Sequence, residues 1–208
     1  MKDRKVRHVR DSKETQINVQ LNIDGNGEPK ETKIKTPIGL LNHMLELFAF
    51  HGFFNLKLEV KGDTHVDIHH TNEDIGIVLG IVFKKALDIN KKKGIKRFGS
   101  AFAPMEDTLG QSVVDISGRG HLKVIEENIR SGTASSQDGY SFQDLEHFLD
   151  SFAKNLGANI IVTLKYPSPT DLHSIMETVF KSLGMALDQA TQIDPRRKGI
   201  PSTKGIID

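Results

Sequence analysis

Apolar residues along this chain follow two spacings, one of period two and one near 3.6, and the spacings alternate. From Glu14 to Ile23 polar and apolar residues take turns, as in a half-buried strand, and Asp24-Gly25-Asn26-Gly27 then offers turn residues that tolerate positive φ. Thr32 to Ile34 reads as the returning strand of a hairpin. Gly39 to Phe50 sets Leu40, Met44, Leu47 and Phe48 on one stripe, which predicts a helix that also carries His43. Asn55 to Lys61 alternates again. It delivers the chain to a helix that begins near His69, holds the apolar run Ile75 to Phe83, and stops before Gly94.

The second half repeats this pattern. Gly110 to Gly118 resembles Asn18 to Gly25, and Leu145 to Ala153 parallels Leu41 to Ala49. A strand over Ala158 to Lys165 precedes His173-Ser174-Ile175-Met176-Glu177 and an apolar helix over Val179 to Ala190. His43 and His147, His69 and His173, and Glu73 and Glu177 are each 104 residues apart, half the chain length. An internal duplication accounts for this order, with half-domains over residues 1–94 and 95–208 sharing one core. The expected class is α+β: in each half a small antiparallel sheet with helices on one face, stacked sheet–helix–helix–sheet.

The stretch Asp63 to Asp74 changes the picture from architecture to chemistry. It holds three histidines and four carboxylates in twelve residues, at the mouth of a helix. His69 and His70 lie four and three residues before Glu73, so the carboxylate shares a face with both imidazoles. Nitrogen and oxygen ligands together suit Mn, Zn, Fe or Ni. An ordinary helix start, with acids against the positive end of the dipole, gives the same residue types. The copy 104 residues on argues for ligation.

Composition narrows the rest. The chain has no cysteine, so any metal is held by His, Asp and Glu. A net charge of +1, from 28 basic and 27 acidic residues, gives no electrostatic case for nucleic acid or an anionic membrane. The runs Lys91-Lys92-Lys93 and Arg196-Arg197-Lys198 read as solvated turns. The first residues lack an apolar segment and no run approaches the ~18 residues of a membrane span, so a cytoplasmic protein is expected.

Four motifs in order, Leu41-Asn42-His43-Met44-Leu45, Gly62 to Gly76, Asp115-Ile116-Ser117-Gly118-Arg119 and Pro201-Ser202-Thr203-Lys204-Gly205, resemble the imidazoleglycerol-phosphate dehydratase family over nearly the whole chain. The resemblance implies a hydro-lyase of histidine biosynthesis that takes water from imidazole glycerol phosphate to give imidazole acetol phosphate. It implies Mn²⁺, one or two ions per subunit, and a twenty-four-subunit homo-oligomeric shell with active sites between subunits. The implied metal ligands are His43, His69, His70, Glu73, His173 and Glu177. Glu14 is the implied acid/base beside the substrate, with Glu73 and Glu177 acting at the same centre, and Arg97, Arg119, Lys181, Ser202 and Lys204 hold the phosphate end. Such groups suit the reaction: a carbon-bound proton must go to a base, and a Lewis acid on the imidazole nitrogen stabilises the charge left behind.

The chain departs from the family pattern in five places, one of them Glu106-Asp107, which inverts the usual order of the acids after Pro104-Met105. Ser174 stands where the second motif has an imidazole, and Ile161 where a strand histidine is expected. Ile68 replaces an aspartate that would orient a metal-bound imidazole, and Tyr166 to Leu172 carries two prolines in place of a short turn. His147, the repeat partner of His43, is a stand-in ligand or a surface histidine. A non-catalytic paralogue that binds metal or a phosphorylated ligand in a structural or regulatory role is therefore the alternative function, and a lyase or isomerase with a changed substrate a third.

Overall fold

The computed structural model describes residues 3–88, 93–127, 136–166 and 170–205. Lys91 and Lys92, the first part of the polar loop at 131–141, and Pro167, Ser168 and Pro169 lie outside the described residues.

The first half runs β1 (Lys5–Asp11), β2 (Thr15–Asn22), a short 3-10 turn, β3 (Lys33–Lys35), α1 (Gly39–His51), β4 (Asn55–Gly62) and α2 (His69–Asp88). A linking strand β5 (Lys93–Ile95) follows. The second half runs β6 (Phe98–Met105), β7 (Thr108–Asp115), β8 (His121–Glu127), the short ribbon β9 (Ser136–Gln137) and β10 (Tyr140–Ser141), α3 (Phe142–Leu156), β11 (Asn159–Lys165), α4 (Leu172–Thr191) and β12 (Ile193–Lys198). The two four-stranded sheets have the orders β1-β2-β4-β3 and β6-β7-β11-β8, the same path drawn twice. This is the expected α+β duplication.

Strand direction differs from expectation. Thr32 to Ile34 is not the second arm of a hairpin: β3 pairs in parallel with β4, as β8 does with β11. Both edges of β2 are already taken by β1 and β4, so the returning chain cannot pair with β2 and joins the far side of β4 instead. Three strands give little period-two hydropathy signal. In β6 the inward positions are the small residues Gly99, Ala101 and Ala103, whereas Phe98 and Phe102 point outward. A Cβ on Gly99 would lie 1.9 Å from the carbonyl oxygen of Ala186, so α4 sits too close for larger side chains. β1 and β8 are sheet edges with largely polar or half-exposed residues.

The helices are sandwiched between the sheets: α2 packs on β1 and β2 and against α3, and α4 packs on β6 and β7 and against α1. The two helix contacts are copies of each other. A Cβ on Gly80 would come within 2.7 Å of the Phe152 carbonyl oxygen, and one on Gly184 within 2.5 Å of the Phe48 carbonyl oxygen. Around these crossings Phe48, Phe54, Phe83 and Phe152 meet mostly edge to face, with centroids 5.0–6.3 Å apart. Buried residues of both halves form one continuous cluster.

Local chemistry fixes the helix ends. Asn42 accepts from the Thr36 backbone N–H and hydroxyl at 3.0 and 2.7 Å and donates to the Thr36 carbonyl at 3.1 Å, tying down the start of α1 beside His43. Ser141 and Asp144 form a capping box on α3, which ends at Gly157 with φ 77°. Asp171 caps α4 by accepting from the Ser174 N–H at 2.7 Å. Among the described residues no helix is long and apolar enough to cross a membrane.

Because Gly80 and Gly184 set backbone-to-backbone contacts, Gly80→Ala or Gly184→Ala is expected to cost ~1–3 kcal/mol through overpacking. The check is the denaturation midpoint against wild type at one protein concentration, with Gly139→Ala, whose Cβ would meet nothing, as comparison; Gly139 has φ 75°, so that variant reports backbone strain without a clash.

Candidate metal centre

Helix α1 and the first turns of α4 bring together three residues from opposite halves of the chain that could hold a metal ion. Nε2 of His43 lies 3.2 Å from Oε1 of Glu177, and Nε2 of His173 lies 3.0 Å from the same oxygen. Ligand atoms of the three residues all fall within 4.8 Å of one another. His173 and Glu177 share a helix face through i,i+4 spacing, while His43 arrives from 134 residues away. Glu177 is only 8% exposed, and burial alone would push its carboxyl up. Hydrogen bonds from Lys181, His43 and His173 outweigh this and bring it down to about 2, so the carboxylate is ionised at neutral pH. Lys181 holds the second carboxylate oxygen, Oε2.

The duplicated position holds a looser counterpart. His69 and Glu73, at the start of α2, are 3.7 Å apart, and the His147 ring of α3 stands edge-on to that of His69 with centroids 5.0 Å apart. Nδ1 of His147 is buried and has no hydrogen-bond partner. The His147 ring thus stands beside that of His69 as the His43 ring stands beside that of His173, but among the described residues only His43, His173 and Glu177 bring three ligand atoms within 4.8 Å of one another.

His70 does not share the Glu73 side. Its Nδ1 lies 3.0 Å from Oδ2 of Asp63, which leaves Nε2 as the free ring nitrogen. The Asp63 hydrogen bond, with the charge of Glu14 adding to it, holds the His70 pKa above its ordinary value. Asp63 therefore supplies the orienting carboxylate that Ile68 lacks. Ile68 instead packs against the core.

Glu14 lies in the turn between β1 and β2. That turn is pinned at both ends: the Glu14 carbonyl accepts from the Asp63 N–H at 3.1 Å, and buried Asp74 accepts from the Thr15 hydroxyl at 2.5 Å and pairs with Arg10 at 2.8 Å. Glu14 is itself exposed.

Two of the departures acquire a geometric meaning. Ser174, the counterpart of His70, turns its hydroxyl to Asp171 at 3.1 Å and is buried as part of the helix cap, so it offers no ligand. Ile161 sits between buried Ile160 and Val162 in β11, so strand alternation turns it to the outer face of the sheet, beside Val113 and Lys123. A histidine there would point away from the helix-borne ligands of its own subunit.

Of the expected phosphate residues, Arg97 is joined to the Pro201–Gly205 turn by a hydrogen bond from Nη1 to the Pro201 carbonyl at 3.0 Å. Within that turn the Ser202 hydroxyl oxygen accepts from the Lys204 N–H at 3.2 Å. Arg119 is exposed in the β7–β8 loop, and Lys181 belongs to the Glu177 group.

Comparison with known proteins agrees with this arrangement. The family model described as imidazoleglycerol-phosphate dehydratase matches residues 36–187. The chain belongs to the imidazoleglycerol-phosphate dehydratase family. It is 48% identical over 205 residues to the imidazoleglycerol-phosphate dehydratase of Bacillus pumilus (strain SAFR-032), covering 98% of this chain and all of that protein. The protein of that name from Bacillus subtilis (strain 168) is 46% identical over 205 residues, with the same coverage. The crystal structure of imidazoleglycerol-phosphate dehydratase from Staphylococcus aureus subsp. aureus N315 superposes with a TM-score of 0.75 at 30% identity, covering 91% of this chain and 99% of that one. The Pyrococcus furiosus family member, solved in complex with (S)-C348, gives 0.75 at 34% identity over 96% and 99%.

Sequence reading passed over Asp63, Asp74 and Asp115 and set His147 aside. The repeat offset was the signal available for His147; the three aspartates stand inside the motifs, but their roles stayed hidden because their partners lie on other elements. For this family member, Asp63→Ala removes the hydrogen bond that lifts His70, so the His70 titration midpoint falls in metal-free protein, read by histidine NMR. Apparent metal affinity is expected to drop ~10–100-fold, read by calorimetric titration.

Proposed function

We propose that this chain is a metal-dependent hydro-lyase converting imidazole glycerol phosphate to imidazole acetol phosphate in histidine biosynthesis, as a cytoplasmic homo-oligomer that uses Mn²⁺. The observation that carries the reading is the convergence of His43, His173 and Glu177 in a chain similar along its length to dehydratases of that name. Two imidazoles and a buried, ionised carboxylate fit a borderline divalent cation. His43, His173 and Glu177 would hold one ion, and His69 and Glu73 would contribute to the other, with His70 presenting Nε2 to a site shared with a neighbouring copy. When bound, Mn²⁺ supplies Lewis acidity toward the substrate's ring nitrogen.

The chain's own groups divide the remaining work. Glu14, on its pinned turn next to His70, takes the proton from the carbon one removed from the ring. Loss of that proton and of the hydroxyl on the ring-bearing carbon, which leaves as water, gives an enol that ketonises to the product by taking a proton at the ring-bearing carbon. Arg97, Arg119, Lys181, Ser202 and Lys204 hold the phosphate dianion by fork, ammonium and hydroxyl contacts. Lys181 must then share its ammonium between Glu177 and the phosphate.

Ser174 favours a second reading, a paralogue that keeps one strong metal and no turnover. The deciding experiment is turnover of imidazole glycerol phosphate by metal-stripped protein titrated with Mn²⁺, with metal counted per chain. Mn-dependent dehydration is expected; a protein that binds metal without turnover belongs to the second reading. One ion is expected to bind ~10–100-fold more weakly than the other, and Ser174→His to narrow that gap. Glu177→Gln is expected to lower turnover at least ~100-fold and to remove about one tightly held ion per chain.

A further inference from the structure

We propose that Asp115 is a positioning residue for the phosphate end of the substrate: through Arg97 it fixes the Pro201–Gly205 turn. The inference rests on the reading of Arg97, Ser202 and Lys204 as phosphate ligands and assigns a role to a carboxylate that touches neither metal ligand nor substrate.

Arg97 is held at both its backbone and its side chain. Its φ is +74°, in the left-handed region that non-glycine residues seldom occupy. The conformation is over-determined, because its N–H donates to the Ala190 carbonyl at 2.8 Å and its carbonyl accepts from the Ile116 N–H at 3.1 Å. The residue is thereby clamped between the last turn of α4 and the end of β7. Antiparallel register puts Phe98 opposite Asp115, so the side chain before Phe98 starts beside that carboxylate.

The guanidinium then forks onto Asp115, Nε to Oδ1 at 2.5 Å and Nη2 to Oδ2 at 3.0 Å, while the Phe98 ring lies 5.1 Å from its centre. The remaining nitrogen, Nη1, donates to the Pro201 carbonyl at 3.0 Å. Among the described residues this is the hydrogen bond that ties the turn to the body of the fold; the others made by Ser202, Lys204 and Gly205 are local. Three of the five guanidinium N–H groups are thus committed to protein, and the carboxylate plane sets the direction of the two left over. Both partners are mostly buried, at 18% and 24% side-chain exposure, so water does not readily replace the fork.

Geometry and charge make opposite predictions here. Asp115 cancels the charge of Arg97, so removing its charge would draw an anion more strongly if attraction alone mattered. If position matters, the loosened guanidinium and the released Pro201 carbonyl weaken the phosphate site despite the added positive charge.

The test compares wild type with Asp115→Asn in the metal-loaded full-length assembly. Positioning predicts that the inhibition constant of inorganic phosphate and the KM for imidazole glycerol phosphate both rise about tenfold, the loss of one charge-assisted contact. It also predicts that kcat changes less, metal per chain stays the same, and backbone amides of residues 202–205 exchange faster. Asp115→Glu, which retains the charge, should recover part of the loss. Tighter or unchanged phosphate binding with unchanged exchange in the turn overturns the proposal. Should Asp115→Asn not assemble, Asp115→Glu, which displaces the fork by one methylene and leaves Arg97 in place, is compared with wild type and the same two readouts decide. Failure of the dehydratase reading would show as no turnover in wild type, whereas phosphate titration and amide exchange still report on Asp115.

Discussion

The close contact of helix backbones at the centre of the molecule is the constraint on which the rest depends. Gly80 against Phe152 and Gly184 against Phe48 let α2 meet α3 and α4 meet α1 without intervening side chains. Each half-domain buries its helices only by pressing them on those of the other half, so neither sheet has a complete core alone. The same crossings set the first turns of α2 and α4 beside histidines from α3 and α1. Core packing and ligand placement are thus one arrangement, used twice.

Within that frame, electrostatics separates residues that the motif alone would treat alike. His69 and His70 are adjacent in sequence, yet one faces Glu73 and His147 while the other turns to Asp63. Glu177 combines burial, which favours its neutral form, with three donors that favour its charged form, and the donors prevail. Its counterpart Glu73 is far more exposed, with 46% of its side chain accessible. The duplication has therefore kept the places of these residues in the fold and let their spacing and environments diverge. Ser174 extends the divergence: a position that is an imidazole in the first copy serves as part of a helix cap in the second.

A second line of organisation runs through carboxylates that touch no ligand atom of a metal cluster. Asp63 orients His70, Asp74 pins the turn that carries Glu14, and Asp115 directs Arg97 toward the Pro201 carbonyl. In each case an anchored acid fixes the direction of a group that would otherwise sample several rotamers, which is how a site made from separate elements reaches a defined geometry. Membership of the imidazoleglycerol-phosphate dehydratase family agrees with the motif residues.

The sequence by itself determined the duplication, the class of the fold, the helices and central strands, and the pairing of His69 with Glu73 and of His173 with Glu177 on one helix turn. These are local properties: hydropathy period reports which face of an element is buried, and i,i+4 spacing reports which side chains on a helix are neighbours. It missed β6, whose inward face is glycine and alanine because α4 packs close, and the polar edge strand β1. It also assigned β3 to a hairpin, since pattern does not say which strand edge is free. Only the tertiary structure decided that His43 meets Glu177, that His147 faces His69, and that Ile161 points outward. It alone also gave Asp63, Asp74 and Asp115 their partners. The physical reason is that such contacts depend on register and helix crossing between segments distant in the chain, and no single segment carries that information.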